Sequence, residues 1–212
     1  LWSLLSAFVH IIVLMLSGTL VYSTFAMFFD NIAAVIDISF IDSFKKIKAV
    51  LLTFLPGMEA GCAVSDILCG DVNPSGKLTD TIAYKYSDYP SSPYYNTDEN
   101  TSLYKEDIFV GYRYFETFPY VKNSVLYPFG HGLSYTTFEI KCAHFECDSN
   151  VDGKIRAVVS VKNTGNHAGK EVVMLYTSAP RSALGAPAIE LRAFDKTELL
   201  QPGEEAYLSL SI

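Results

Sequence analysis

Basic side chains are scarce in this chain: 16 Lys and Arg stand against 23 Asp and Glu, for a formal charge of −7 and a pI near 5.0. Phosphate backbones are held by concentrations of Lys and Arg, so this balance argues against a nucleic-acid surface, and no basic patch relieves it. Cysteine is also sparse. Cys62, Cys69, Cys142 and Cys147 form no CxxC pair and have no histidine at zinc-finger spacing, so neither a metal site nor a redox motif is supported, and no cofactor is expected. Tryptophan occurs once. Residues Leu1 to Phe29 contain no Lys, Arg, Asp or Glu. They also lack the basic n-region and small-residue cleavage site of a signal peptide.

What is present is apolar and aromatic. Half of the 212 residues are hydrophobic, enough to bury a sizeable core in one large domain or two ordinary ones. The uncharged run 1–29 is long enough for a membrane-spanning helix. It fits a buried strand, His10 to Leu16, with apolar flanks equally well, because hydropathy alone does not separate the two. If it spans, Lys45, Lys46 and Lys48 bias its C-terminal side toward the cytoplasm. A membrane partner through residues 1–29 and a cytoplasmic or secreted chain therefore both stay open. The first residue is Leu, not Met, which suggests a fragment.

From Asn31 to Leu55 the pattern is apolar and β-branched, with Asp37 and Asp42 as its acids. A short lysine-bearing turn then leads to the run Ala49 to Leu55, which reads as a buried strand and completes a βαβ-like unit. Pro56-Gly57 breaks that run. A helix is predicted to start near Met58, with Glu59 in its first turn and Ala63, Ile67 and Leu68 on one face. Gly70 ends it. Asp71, Asn73, Pro74, Ser75 and Gly76 then form a dense turn before Lys77-Leu78.

Between Ala83 and Tyr127 periodicity fades into a long loop rich in tyrosine. It contains no Gly-Ser run of the kind a flexible linker would have, so it reads as an ordered loop with a strand-like segment at Tyr104 to Phe115. Tyrosine-rich loops suit sugar binding, and they suit packing equally. Tyr127 to Tyr135, with one proline and two glycines, marks a change of architecture. Short alternating strands follow at Thr137 to Cys142, Ile155 to Lys162, Glu171 to Thr177, Leu191 to Leu199 and Ala206 to Ile212. The turns Asn163-Thr164-Gly165-Asn166 and Gln201-Pro202-Gly203 punctuate them. This spacing predicts a β-sandwich. Five strands are visible where about seven are usual, so the module is expected to be incomplete here.

Four blocks together resemble the C-terminal part of glycoside hydrolase family 3, the β-glucosidase and β-xylosidase group. They are VIDISFID at Val35 to Asp42 with PGMEAG through SGKL; YKEDIFVGYRYFE at Tyr104 to Glu116; YPFGHGLSYTTF at Tyr127 to Phe138; and VKNTGNHAGKEVVMLY at Val161 to Tyr176, followed by ELRAFDKTELLQPGE. The resemblance implies a partial open α/β sheet with flanking helices over residues 31–135, preceded by the apolar segment 1–30. It implies an all-β immunoglobulin or fibronectin III-like sandwich over 136–212. It also implies a retaining exo-glycosidase that takes a β-linked oligosaccharide or glycoside, with the nucleophilic aspartate in a separate barrel. The alternative is a non-catalytic accessory or carbohydrate-contacting module, membrane-tethered or not.

Retaining hydrolysis needs two carboxyls about 5 Å apart. No residue of this chain is assigned as catalytic, and its substrate-binding residues are not identifiable from sequence. Glu59 reads as a carboxylate at a helix N-terminus, and Glu106, beside Lys105 and Asp107, as a loop-bracing or solvated acid. Arg113 reads as an arginine packed on aromatics, with contact to a sugar hydroxyl or carboxylate as its functional alternative. His131 reads as a turn residue, while His10, His144 and His167 share no constellation.

Overall fold

The structure, a computed structural model, describes residues 48–54, 57–95, 101, 103–147, 155–179 and 185–212. The apolar run 1–29, the first strand and turn of the βαβ-like unit, His10, Lys45 and Lys46 lie outside these residues. The chain divides into two compact units, residues 1–34 with 52–65, and residues 35–51 with 66–212.

The described part of the run expected as a strand, residues 49–54, has no regular secondary structure, and Phe54 takes a positive φ of 49°. An unbroken apolar run fits a strand or an irregular segment equally, and a residue at positive φ leaves the extended course. Helix α1 covers Ala60–Cys69. Glu59 sits just before it instead of in its first turn, and the Glu59 carbonyl accepts the Ala63 N–H at 3.0 Å. The buried side chains of α1 are Ala60 and Val64, with Ile67 half-buried; Ala63 and Leu68, expected on the apolar face, are exposed at its edges. Gly70, at φ +85°, ends the helix as expected, since the left-handed region suits a residue without Cβ.

Next come β1 (Ile82–Ala83) and β2 (Val125–Tyr127), paired antiparallel, with the aromatic loop between them. The segment expected to be strand-like turns helical instead: α2 covers Tyr112–Thr117. Gly111 explains it. Its φ of 56° and ψ of −129° break any extended course, and Tyr114 and Phe115 then bond back to its carbonyl. Phe115, Tyr89, Ala83 and Val121 form a small core, with Tyr114, Phe118 and Val125 packed on it. Burying a side chain such as Phe115 contributes about 1.5–3 kcal/mol.

The sandwich matches the predicted strands closely. Its first sheet orders β3 (Phe138–Cys147), β4 (Ile155–Asn163) and β7 (Glu205–Ser211); its second pairs β5 (Val172–Thr177) with β6 (Glu190–Lys196). All these pairings are antiparallel. Val159, Val161 and Leu210 from one sheet meet Val173 from the other, with Leu200 between, and Leu175, Ala193 and Leu208 close the cluster. The helices α1 and α2 and the short β1–β2 sheet, followed by this sandwich, constitute an α/β part followed by a fibronectin III-like β part.

Candidate functional site

Two structural features converge on the second unit: a clasped turn and the aromatic loop. Asn73 lies in the turn after α1. Its amide donates to the Ala168 carbonyl at 2.9 Å, while its side-chain oxygen accepts the Ser134 hydroxyl and the Tyr135 N–H, each at 2.8 Å. Lys77 stands four residues on. Its ammonium meets Glu171 Oε1 at 2.8 Å and donates to the Gly132 carbonyl at 3.1 Å, with both charged side chains largely buried. Leu78 bonds twice across the same seam, its N–H donating to the His131 carbonyl and its carbonyl accepting the Gly130 N–H, each at 2.8 Å. The strips are so close that a Cβ on Gly132 would strike the Gly76 carbonyl, and one on Gly169 would reach Asn73 Nδ2 at 2.7 Å.

A second seam ties the aromatic loop to the sandwich. The Leu191 N–H donates to the Tyr112 hydroxyl at 2.8 Å, and the Ala188 N–H to Thr117 Oγ1 at 2.9 Å. The Tyr112 ring packs on Phe129 and meets Tyr176 edge-on. Arg113 lies beside the Tyr112 ring and pairs with Glu190 at 3.7 Å, so its partner is a carboxylate of the same chain. Its Nε is buried without a partner.

Inside the loop, Tyr89 anchors the turn of residues 86–95. Its hydroxyl accepts the Ala83 N–H and donates to the Thr81 carbonyl, and its ring meets Phe115 edge-on. That anchor leaves Tyr84, Tyr86, Tyr95, Tyr104 and Tyr120 exposed. Burial and then a hydrogen bond with Tyr120 push the Tyr114 phenol up to about 12. The Asp80 carboxyl is raised by burial, against the lowering effect of its bond from the Thr81 N–H. The arrangement offers aromatic faces and hydroxyls, which suit contact with a polar ligand carrying an apolar face.

Glu59 is exposed. Glu106 is half-buried, its carbonyl accepting the Phe109 N–H. His131 occupies the turn, its ring stacked on Tyr127. His144 pairs with Glu146 at 2.8 Å on β3, and His167 offers its carbonyl to Asn163. Among the described residues no group of three His, Cys, Asp or Glu could hold a metal ion, and the four cysteines are free. Sequence reasoning missed the roles of Asn73, Lys77, Glu171 and Glu190. Nothing local to a turn asparagine or a single lysine announces a partner so far along the chain.

The description "Glycosyl hydrolase family 3 C-terminal domain" matches residues 3–112, and "Fibronectin type III-like domain" matches residues 171–212. Beta-glucosidase A of Butyrivibrio fibrisolvens is 45% identical over 194 residues, covering 86% of this chain and 23% of that protein. A beta-glucosidase of Ruminococcus albus is 45% identical over 182 residues, 86% of this chain and 18% of its own length. Among solved structures, a beta-glucosidase from Paenibacillus barengoltzii superimposes with a TM-score of 0.78 at 48% identity, over 83% of this chain and 19% of that one. Beta-glucosidase 3B from Thermotoga neapolitana, solved in complex with glucose, gives 0.68 at 42% identity, over 76% and 22%. The chain thus spans about a fifth of the length of the curated relatives it matches.

Proposed function

The chain belongs to glycosyl hydrolase family 3, and from that premise we propose that it is the C-terminal part of an exo-acting, β-glucosidase-like enzyme that hydrolyses O-glycosyl bonds. The observation that carries the reading is collinearity: both family matches fall in order within a chain 45% identical to beta-glucosidases over 86% of its length. Its substrate on this reading is a β-linked glycoside, in keeping with the glucose bound in the Thermotoga neapolitana relative. The reacting carboxyls come from outside this chain, Glu59 and Glu106 serve the fold, and residues 31–135 and 136–212 are its two domains. The start of β3 at Phe138 supports that boundary.

The tethered accessory module is not favoured. The relatives are beta-glucosidases, and the family match runs from residue 3 through the apolar stretch.

The test is a graft. This chain replaces the matching region of the Butyrivibrio fibrisolvens enzyme, and hydrolysis of 4-nitrophenyl β-glucoside is followed. The expected kcat/KM lies within about tenfold of the parent, under ~1.4 kcal/mol of lost transition-state stabilisation. A graft that melts like the parent yet shows no turnover overturns the proposal, as does one that does not fold.

A further inference from the structure

Asn73 and Lys77 belong to the stretch matched by one family description, and Glu171 opens the stretch matched by the other. We infer that these residues, with the Tyr112 and Thr117 hydroxyls, form a two-point latch that makes the sandwich a structural wall of the aromatic loop, so that the loop opens only when the sandwich edge lets go.

At the first point, one asparagine amide bonds three partners on two other segments: the Ala168 carbonyl, the Ser134 hydroxyl and the Tyr135 N–H. Beside it the Lys77–Glu171 pair has side-chain exposures of only 16% and 12%. Separating such a pair leaves a charge stranded away from water, so opening there is strongly penalised. Glu171 is further fixed at its own end, since the Val172 N–H donates to the same carboxylate oxygen and the Glu171 N–H donates to Thr197 Oγ1.

At the second point, the loop's helix α2 supplies hydroxyl acceptors to the backbone N–H groups of Ala188 and Leu191, just before and within β6. The two points grip different segments, residues 73–77 and 112–117, which bracket the β1 strand and the tyrosine turn. Holding both ends of a segment makes each contact effectively intramolecular for the other, so either point alone keeps the loop near its seat. The coupling does not depend on which substrate the enzyme takes.

Amide hydrogen exchange on the full chain across a urea series tests it. In the wild type, the amides of Tyr84 and Tyr89 in the loop and those of β5 are expected to open together, with the same urea dependence. Asn73→Ala with Lys77→Met, or Tyr112→Phe with Thr117→Val, is expected to speed loop exchange up to about tenfold; all four together, by a hundredfold or more, with β4 protection unchanged. The wild-type measurement and the mild pair Tyr112→Phe and Thr117→Val keep the test decisive even if the fourfold variant does not fold. Loop amides that open at lower urea than β5 in the wild type overturn the latch. So does unchanged loop protection when both points are cut.

Discussion

Asn163 has 0% of its surface exposed, and its amide makes all four hydrogen bonds available to it. The nitrogen donates to the carbonyls of His167 and Leu200; the oxygen accepts the Thr136 hydroxyl at 2.7 Å and the Gly165 N–H at 3.1 Å. Asn163→Ala strands all four partners around a cavity, and each unsatisfied buried group costs about 1–3 kcal/mol, though such costs do not simply add. The expected loss of unfolding free energy is about 3–5 kcal/mol, read by urea denaturation. Asn163→Asp turns an oxygen toward two carbonyls and is expected to destabilise comparably. A loss below about 1 kcal/mol for either variant would show the knot to be dispensable. In the sequence, Asn163-Thr164-Gly165-Asn166 is legible as a turn, because asparagine and glycine favour such backbone. That its first residue ties β4 to Thr136 and Leu200 is not legible, because those partners are set by tertiary register. Glu59 and Arg113 teach the same point. Residue type gave the kind of role, helix-end acid and stacked cation, while the carboxylate of Glu190 that completes the second role came only with the fold.

At the scale of elements, the sandwich strands were readable because a half-buried strand alternates its side chains, and that alternation is a local property of sequence. Strand β3 runs five residues past its expected end at Cys142, carried over the irregularity between Cys142 and His144 by continued pairing with β4. Residues 49–54 and 104–115 depart from an extended course for a physical reason. An unbroken apolar or aromatic run has no period to read, and there one unusual φ, at Phe54 or Gly111, decides the course. The length of β3 has a consequence. It is an edge strand, and Ile140 and Phe145 stand opposite the buried Val161 and Ala157, yet are 48% and 57% exposed. A long edge presenting apolar side chains recruits other chains, and an inward-pointing charge is a common remedy. Phe145→Lys is therefore expected to slow heat-induced light scattering of this chain severalfold while moving stability by less than about 1 kcal/mol, since little of the ring is buried. Scattering at the wild-type rate would place the aggregating surface elsewhere.

At the scale of the whole molecule, a set of the charged side chains among the described residues is paired within the fold. Lys77 is spent on Glu171, Arg113 and Arg192 on Glu190, Lys141 on Glu139, Lys170 on Glu198 and His144 on Glu146. A retaining glycosidase needs one carboxylate free to attack and a second carboxyl, about 5 Å away, free to give and take a proton. Catalysis from this chain alone would have to come from acids outside those pairs. Among the family-block acids outside those pairs, Glu59 stands beside the start of α1, where a carboxylate suits the unpaired N–H groups, and Glu106 stands in the turn before Phe109. Purified by itself, the chain is therefore expected to hydrolyse 4-nitrophenyl β-glucoside and the corresponding β-xyloside no faster than a buffer blank, at any pH at which it remains folded. The same chain grafted into a family 3 relative turns over on the reading above, so inactivity alone and activity when joined form one paired outcome. Turnover by the isolated chain that Glu59→Gln or Glu106→Gln abolishes, with the melting temperature unchanged, would move the acid chemistry into this region and reverse the division of labour proposed for it.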